Sequence, residues 1–234
     1  MRREVIIVLG KTGCGKSWWA KHAVQASERL AVFDPLQSPE YRVAWVEPED
    51  TDALEGQYRQ KQFRVGVYDP DSLPSLGSYA FAYGGPEVME YHGTKAWFDG
   101  QQGMATGPLT LVLEEFSTIT EKGQRPPDWL RRLIFLGRHK GVSLVAVAQR
   151  AVSIPIELRS QASRIVSFAQ HEADDVDWLE EFYGPDVADE LPDLPKFECV
   201  DYRLGGTVER YSIRPTVQAT FGVDLSKKED EVQL

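Results

Sequence analysis

The sequence predicts an α/β protein built on a mostly parallel sheet with helices on both faces. Three observations carry this expectation. The apolar runs at 5–9, 109–113 and 142–148 lack the apolar–polar alternation of a half-exposed strand, so both faces of each strand should be buried. Helical stretches separate these runs, as crossover connections between parallel strands require. The length, 234 residues, suits one domain with one sizeable core.

The elements follow in order. Residues 4–9 read as a buried strand, rich in β-branched side chains. Residues 15–30 read as a helix carrying Trp18, Trp19, His22 and Ala23. Residues 30–33 read as a short strand stopped by Asp34-Pro35. Residues 41–46 and 63–68 are further strand candidates, the latter ended by Asp69-Pro70. Glycine and proline punctuate residues 71–107. A helix over 86–98 fits there, with Pro86 in its first turn and Val88, Tyr91, Lys95 and Phe98 near one face, although Gly93 weakens it. Leu109–Leu113 is a buried strand ending in Glu114-Glu115. Residues 128–139 form an amphipathic helix with Leu130, Leu133, Ile134 and Leu136 on its apolar side. Val142–Ala148 is a third buried strand, ending at Gln149. A short helix over 156–162, a strand over 164–168 and an acidic helix over 171–183 come next. Residues 197–202 and 208–213 form a hairpin around Gly205-Gly206. The expected domain spans 1–225, and the charged end, 226–234, is expected to be disordered.

Composition narrows the function. Hydrophobic residues make up 42% and charged residues 26%, as in a soluble globular protein. No apolar stretch is long enough to span a bilayer, and the apolar start has no cleavage site after it, so a cytoplasmic-type compartment is expected. The two cysteines, Cys14 and Cys199, have no metal spacing and are expected to be reduced. The four histidines are scattered. A net charge of −10 argues against a generic nucleic-acid binder. Any DNA contact must come from a local basic patch or from a channel built by several subunits.

Gly10-Lys11-Thr12-Gly13-Cys14-Gly15-Lys16-Ser17 matches G-x-x-x-x-G-K-[ST], the P-loop, at the required place between strand and helix. Four fixed positions arise by chance in a chain this long about once per hundred chains, and the context lowers that further. The loop's backbone N–H groups and the helix N-terminus suit phosphate oxygens. Lys16 suits the β- and γ-phosphates of ATP, and the Ser17 hydroxyl suits Mg²⁺.

Leu109–Leu113 followed by Glu114-Glu115 matches a Walker B strand. Glu114 takes the Mg²⁺ position and Glu115 that of the base for the attacking water, with the division between the two left open. Gln149, at another strand end, suits a γ-phosphate sensor. Of the arginines Arg125, Arg131, Arg132, Arg138, Arg150, Arg159 and Arg164, most are expected to be solvated surface residues. Arg138 lies in the exposed turn Gly137-Arg138-His139-Lys140-Gly141, which can face a neighbouring subunit.

The P-loop, the strand ending in Glu-Glu, and the segments GRHKGVSLVAVAQR and IPIELRSQASRIVSF together resemble the FtsK–HerA superfamily of DNA-translocating ATPases. The resemblance covers residues 5–168 and is most specific over 137–168. With no further domain, the chain most resembles the genome-packaging ATPases of tailless, often membrane-containing double-stranded DNA viruses. The resemblance implies a RecA-like core, a homo-hexameric ring with double-stranded DNA in its channel, and Arg138 as an arginine finger acting on a neighbour. It also implies a place in the host cytoplasm or the virion, with a capsid vertex or membrane-associated viral proteins as candidate partners. Glu114 departs from the family, which usually has Asp there.

Two other readings stay open at the level of sequence. A cellular HerA-type or plasmid-transfer translocase would share the chemistry and differ in partner. A small-molecule kinase would use the same loop, with Arg131-Arg132 clamping a second phosphate. The Glu114-Glu115 pair and Gln149 suit water activation better than an acceptor site. Glu115 likewise argues against a non-hydrolysing nucleotide switch. The segments 84–107 and 122–125 are the candidates for lining a pore.

Overall fold

The computed structural model describes residues 4–24, 26–27, 29–33, 63–67, 109–120, 123–126 and 128–213. The expected strand at 41–46, the helix at 86–98 and the tail at 226–234 lie outside them. Among the described residues, eight strands form one sheet: β1 (Val5–Leu9), β2 (Arg29–Phe33), β3 (Phe63–Val67), β4 (Leu109–Leu113), β5 (Val142–Ala148), β6 (Arg164–Ser167), β7 (Glu198–Arg203) and β8 (Thr207–Ser212). Their order is β3-β2-β4-β5-β1-β6-β7-β8. The pairings from β3 through to β6 are parallel. β7 and β8 then add antiparallel strands at the edge. The C-terminal hairpin is therefore continuous with the main sheet. Its tight turn runs through Gly205 and Gly206, at φ 116° and 90°.

Successive side chains of a strand point to opposite faces. In β1, Val5, Ile7 and Leu9 enter one core cluster, while Ile6 and Val8 enter the other. In β5, Leu144, Ala146 and Ala148 face the first cluster, and Val145 and Val147 the second. This is why these strands read as mainly apolar runs without alternation: both faces are covered. The first face packs under α2 (Asp128–Leu136), α3 (Ile156–Arg159) and α4 (Ala173–Tyr183), through Leu130, Leu133, Leu158 and Leu179. The second packs under α1 (Lys16–Val24), through Trp19, Ala20 and Val24. Each fully buried side chain of this size stabilises by about 1.5–3 kcal/mol. A short helix, α5 (Pro185–Ala188), follows α4.

Several boundaries differ from the sequence reading. The helix expected over 15–30 ends at Val24. Ser27 N–H donates to the Val24 carbonyl, and the Ser27 hydroxyl bonds that of Thr110 on β4 at 3.0 Å. β2 then pairs with β4 from Leu30 onward. The helix expected over 128–139 is α-helical to Leu136 and then tightens into a 3-10 turn, Gly137–Lys140. Gly141, at φ 67°, ends that turn with its N–H on the Gly137 carbonyl. Among the described residues, no helix is long and apolar enough to cross a membrane.

Candidate functional site

Ligands of open parallel sheets gather at the C-terminal ends of the strands. There, β5 separates β1 from β4. Residues that follow β1, β4 and β5 thus meet along one edge.

The P-loop leaves β1 pinned on both sides. Gly10 N–H donates to the Ala148 carbonyl at 3.2 Å, and Phe168 N–H to the Leu9 carbonyl at 2.9 Å. Gly10 has φ 150°, and a Cβ on it would lie 2.7 Å from both Cys14 Sγ and Phe168 Cβ. No other residue fits this bend. Lys11, Thr12 and Gly13 form the exposed crest of the loop. Gly15, at φ 108°, leads into α1. Lys16 is buried, and its Nζ donates to the Lys11 carbonyl at 3.1 Å, which holds the ammonium inside the loop. Cys14 is a free, half-buried thiol. Burial pushes its pKa up, against the pull of the Lys16 charge. Cys199 is also free, and burial takes its thiol up to about 12.

Glu114 is buried at 3% exposure. The Ser17 hydroxyl donates to its Oε2 at 3.2 Å. The glutamate side chain, longer than the aspartate usual in the resembled family, still reaches the loop. One hydroxyl and one carboxylate, beside phosphate oxygens, fit the hard, oxygen-seeking Mg²⁺ ion. No cluster of three or more His, Cys, Asp or Glu residues suited to a metal occurs among the described residues. Mg²⁺ with nucleotide needs no such cluster.

Glu115 adopts the left-handed conformation, φ 46° and ψ 57°, and begins the 3-10 turn Phe116–Thr118. A non-glycine residue there stores strain of about 1–3 kcal/mol, and such strain concentrates at functional positions. The register explains its neighbour. Leu113 lies opposite Ala146, so two residues further on each strand bring Glu115 level with the end of β5. Gln149 Nε2 donates to both carboxylate oxygens of Glu115, at 3.3 and 3.2 Å. The Gln149 carbonyl accepts from buried Gln170. A carboxylate whose partner is an amide, at the mouth of a phosphate-type loop, can accept a proton from water that the amide orients.

Arg138 lies in the turn Gly137–Lys140, before the N-terminal end of β5. Gln149 follows the C-terminal end. Seven residues of strand separate the two sheet edges by about 20 Å. The backbone of Arg138 thus lies at the sheet edge opposite the P-loop.

Of the other arginines, Arg125, Arg132 and Arg150 are exposed, as expected, while Arg131, Arg159 and Arg164 are half-buried. Arg150 Nε pairs with fully buried Asp175 at 2.5 Å, and Asp175 also accepts Val152 N–H. This ties the segment after Gln149 to α4. Arg164 grips buried Asp201 through Nε and Nη2, and its guanidinium lies 4.7 Å from the Trp19 ring centroid. Arg159 donates to the Ile154 carbonyl and covers Trp178. Arg125 and Arg131 pair with Asp128 on the surface.

Sequence reasoning missed the opposite flank of the loop. Trp19 Nε1–H donates to the Tyr211 hydroxyl at 2.6 Å, and that hydroxyl donates to Asp201 at 3.3 Å. Nothing in a sequence pairs residues that far apart. Segment 84–107, expected to line a pore, lies outside the described residues. Of 122–125, Gly123, Gln124 and Arg125 are described and exposed.

No family model matches the sequence, and no curated relative does either. Solved structures do match its fold. The genome packaging NTPase B204 of Sulfolobus turreted icosahedral virus 2, in complex with sulfate, is 17% identical with a TM-score of 0.71, covering 92% of this chain and 98% of B204. VirB4 of Thermoanaerobacter pseudethanolicus is 12% identical with a TM-score of 0.64, covering 91% and 90%. The pCW3 conjugation coupling protein TcpA is 14% identical with a TM-score of 0.56, covering 95% of this chain and 63% of TcpA. The fold shared with these structures is the RecA-like P-loop NTPase fold, as the sequence led one to expect.

Proposed function

We propose that this chain is an ATP-hydrolysing double-stranded DNA translocase that packages a viral genome into a preformed capsid. The observation that supports hydrolysis most is the Glu115 carboxylate, carried on a left-handed backbone and held by Gln149 beside the P-loop. Likeness in fold to B204 over nearly the whole of both chains supports the packaging role.

In this reading, the loop amides and Lys16 bind the phosphates of ATP. Ser17 and Glu114 would hold Mg²⁺, which neutralises phosphate charge when bound. Glu115 accepts a proton from the attacking water, and Gln149 orients that water by hydrogen bonding. As the new P–O bond forms, the bond from the γ-phosphorus to the bridging oxygen breaks, and ADP leaves with the electron pair. Arg138 of a neighbouring subunit stabilises the charge that spreads over the γ-phosphoryl oxygens. Its position at the far sheet edge supports action in trans, and a closed homo-hexameric ring supplies such a neighbour at every site. The net charge of −10 restricts DNA contact to local loops of a central channel.

Likeness to the conjugation coupling protein TcpA supports a second reading, a plasmid-transfer translocase with the same chemistry. The two separate in a packaging reaction with purified empty capsids, where nuclease-protected DNA is expected only of the first. ATP turnover with and without double-stranded DNA tests the shared core, and stimulation by DNA is expected. Transfer of the γ-phosphate to a nucleoside or another small acceptor would sink both and favour a kinase. Mixing Arg138→Ala chains into wild type should lower activity more steeply than dilution. A linear loss would remove the finger.

A further inference from the structure

The second flank of the P-loop is built by the C-terminal hairpin. β7 runs antiparallel to β6 with Val200 opposite Ser167, so its first residue, Glu198, lies at the same edge as the loop. β8 returns with Ser212 opposite Glu198. Phe197 and Ile213 therefore meet at this edge, where Ile213 N–H donates to the Phe197 carbonyl at 2.7 Å. Both touch the loop. A Cβ on Gly15 would lie 2.6 Å from Ile213 Cδ1 and 3.3 Å from Phe197 Cδ1.

Phe197 holds a left-handed backbone, φ 68°, rare and costly for an aromatic residue. The bond from Ile213 and a turn closed by Glu198 N–H on the Pro195 carbonyl maintain it. Its ring packs in the cluster that contains Cys14 and Trp18. Exposed Lys196 lies with Nζ 4.8 Å from that ring's centroid. Its charge is also felt at the Cys14 thiol.

A nucleotide on this loop has a direction. Glu115 and Gln149 place the γ-phosphate on the β4–β5 side. The α-phosphate and nucleoside must then run the other way, toward β6 and β7. We propose that the turn at residues 195–197 is the nucleoside-side wall of the nucleotide site, with Lys196 as the cation that contacts the α-phosphate. Phe197 positions Lys196 by presenting its ring beside Gly15. This inference rests on the nucleotide reading above.

Titration of wild type, Lys196→Ala and Lys196→Arg with fluorescently labelled ATP and ADP tests it. Both nucleotides carry the α-phosphate, so Lys196→Ala should weaken both by about fivefold, the effect of one partly exposed charge contact. Lys196→Arg should restore both to within about twofold. Equal affinity of Lys196→Ala and wild type would overturn the inference and leave the nucleotide reading intact. A loss confined to ATP would overturn it too, since the lysine would then read the γ-phosphate. Failure of Lys196→Arg to rescue would mark a structural role and overturn the charge contact. Wild type that binds neither nucleotide would overturn the nucleotide reading itself.

Discussion

The two flanks of the P-loop are built on opposite principles. On the β4–β5 side, polar side chains stand at strand ends with partial access to water: Glu115 is half-buried and Gln149 exposed. On the β6–β8 side, the polar groups around Asp201 are sealed and mutually satisfied. Asp201 is 1% exposed and takes Arg164 and the Tyr211 hydroxyl, which in turn accepts from Trp19 of α1. The first flank is open to proton exchange with water. The Asp201 network of the second is closed to it, and it fixes the helix whose N-terminus forms the loop. Access sits on one side and rigidity on the other, as a preorganised site requires.

The contrast breaks most severely at Asp201. Asp201→Ala leaves Arg164 without its buried partner and should cost about 3–5 kcal/mol in stability by urea denaturation. An effect below about 1 kcal/mol would mean that the network is not the anchor. Gln149→Ala, on the other flank, should do the reverse. Stability should stay within about 0.5 kcal/mol, while ATP turnover falls about a hundredfold, as for the loss of one preorganised donor. Tyr211→Phe keeps the ring and removes the hydroxyl, so about 1–2 kcal/mol should be lost as the Trp19 N–H goes unpaired. Its thermal unfolding midpoint measures that loss.

The smallest effect is one of pH. Burial raises the Cys199 thiol from its ordinary value to about 12. Above about pH 9 the unfolded chain releases this proton while the folded chain keeps it. The unfolded state then binds fewer protons, so stability falls with rising pH between about 9 and 12. Cys199→Ala should flatten that decline in thermal unfolding measured from pH 8 to 11. An unchanged slope would assign it to other groups, of which the buried Tyr183 hydroxyl, also raised by desolvation, is the first candidate.

The same division decides what the sequence could tell. Leu109–Leu113 and Val142–Ala148 are legible to the residue, because each is a mainly apolar run without the alternation of a half-exposed strand. Glu114, Glu115 and Gln149 are legible because parallel strands deliver their last residues to one edge. The anchoring flank is not. Trp19 and Tyr211 stand 192 positions apart, and their bond exists only once β6, β7 and β8 extend the sheet. Arg150 and Arg164 read as surface charges, because Asp175 and Asp201 lie in other elements. The left-handed backbone of Glu115 and Phe197 leaves no trace in composition, since neither is a glycine. Beyond the end of α1, Ser27 meets Thr110 of β4, a tertiary contact that local propensity does not contain.

The central claim is that Glu115 activates water for ATP hydrolysis on a chain driven by DNA. Glu115→Gln keeps the shape of the side chain and removes the base. Its turnover of ATP in the presence of double-stranded DNA, measured beside its affinity for fluorescently labelled ATP, tests the claim most directly. The account predicts a loss of turnover of about 10²–10⁴-fold with ATP binding retained. Turnover at the wild-type rate would contradict it.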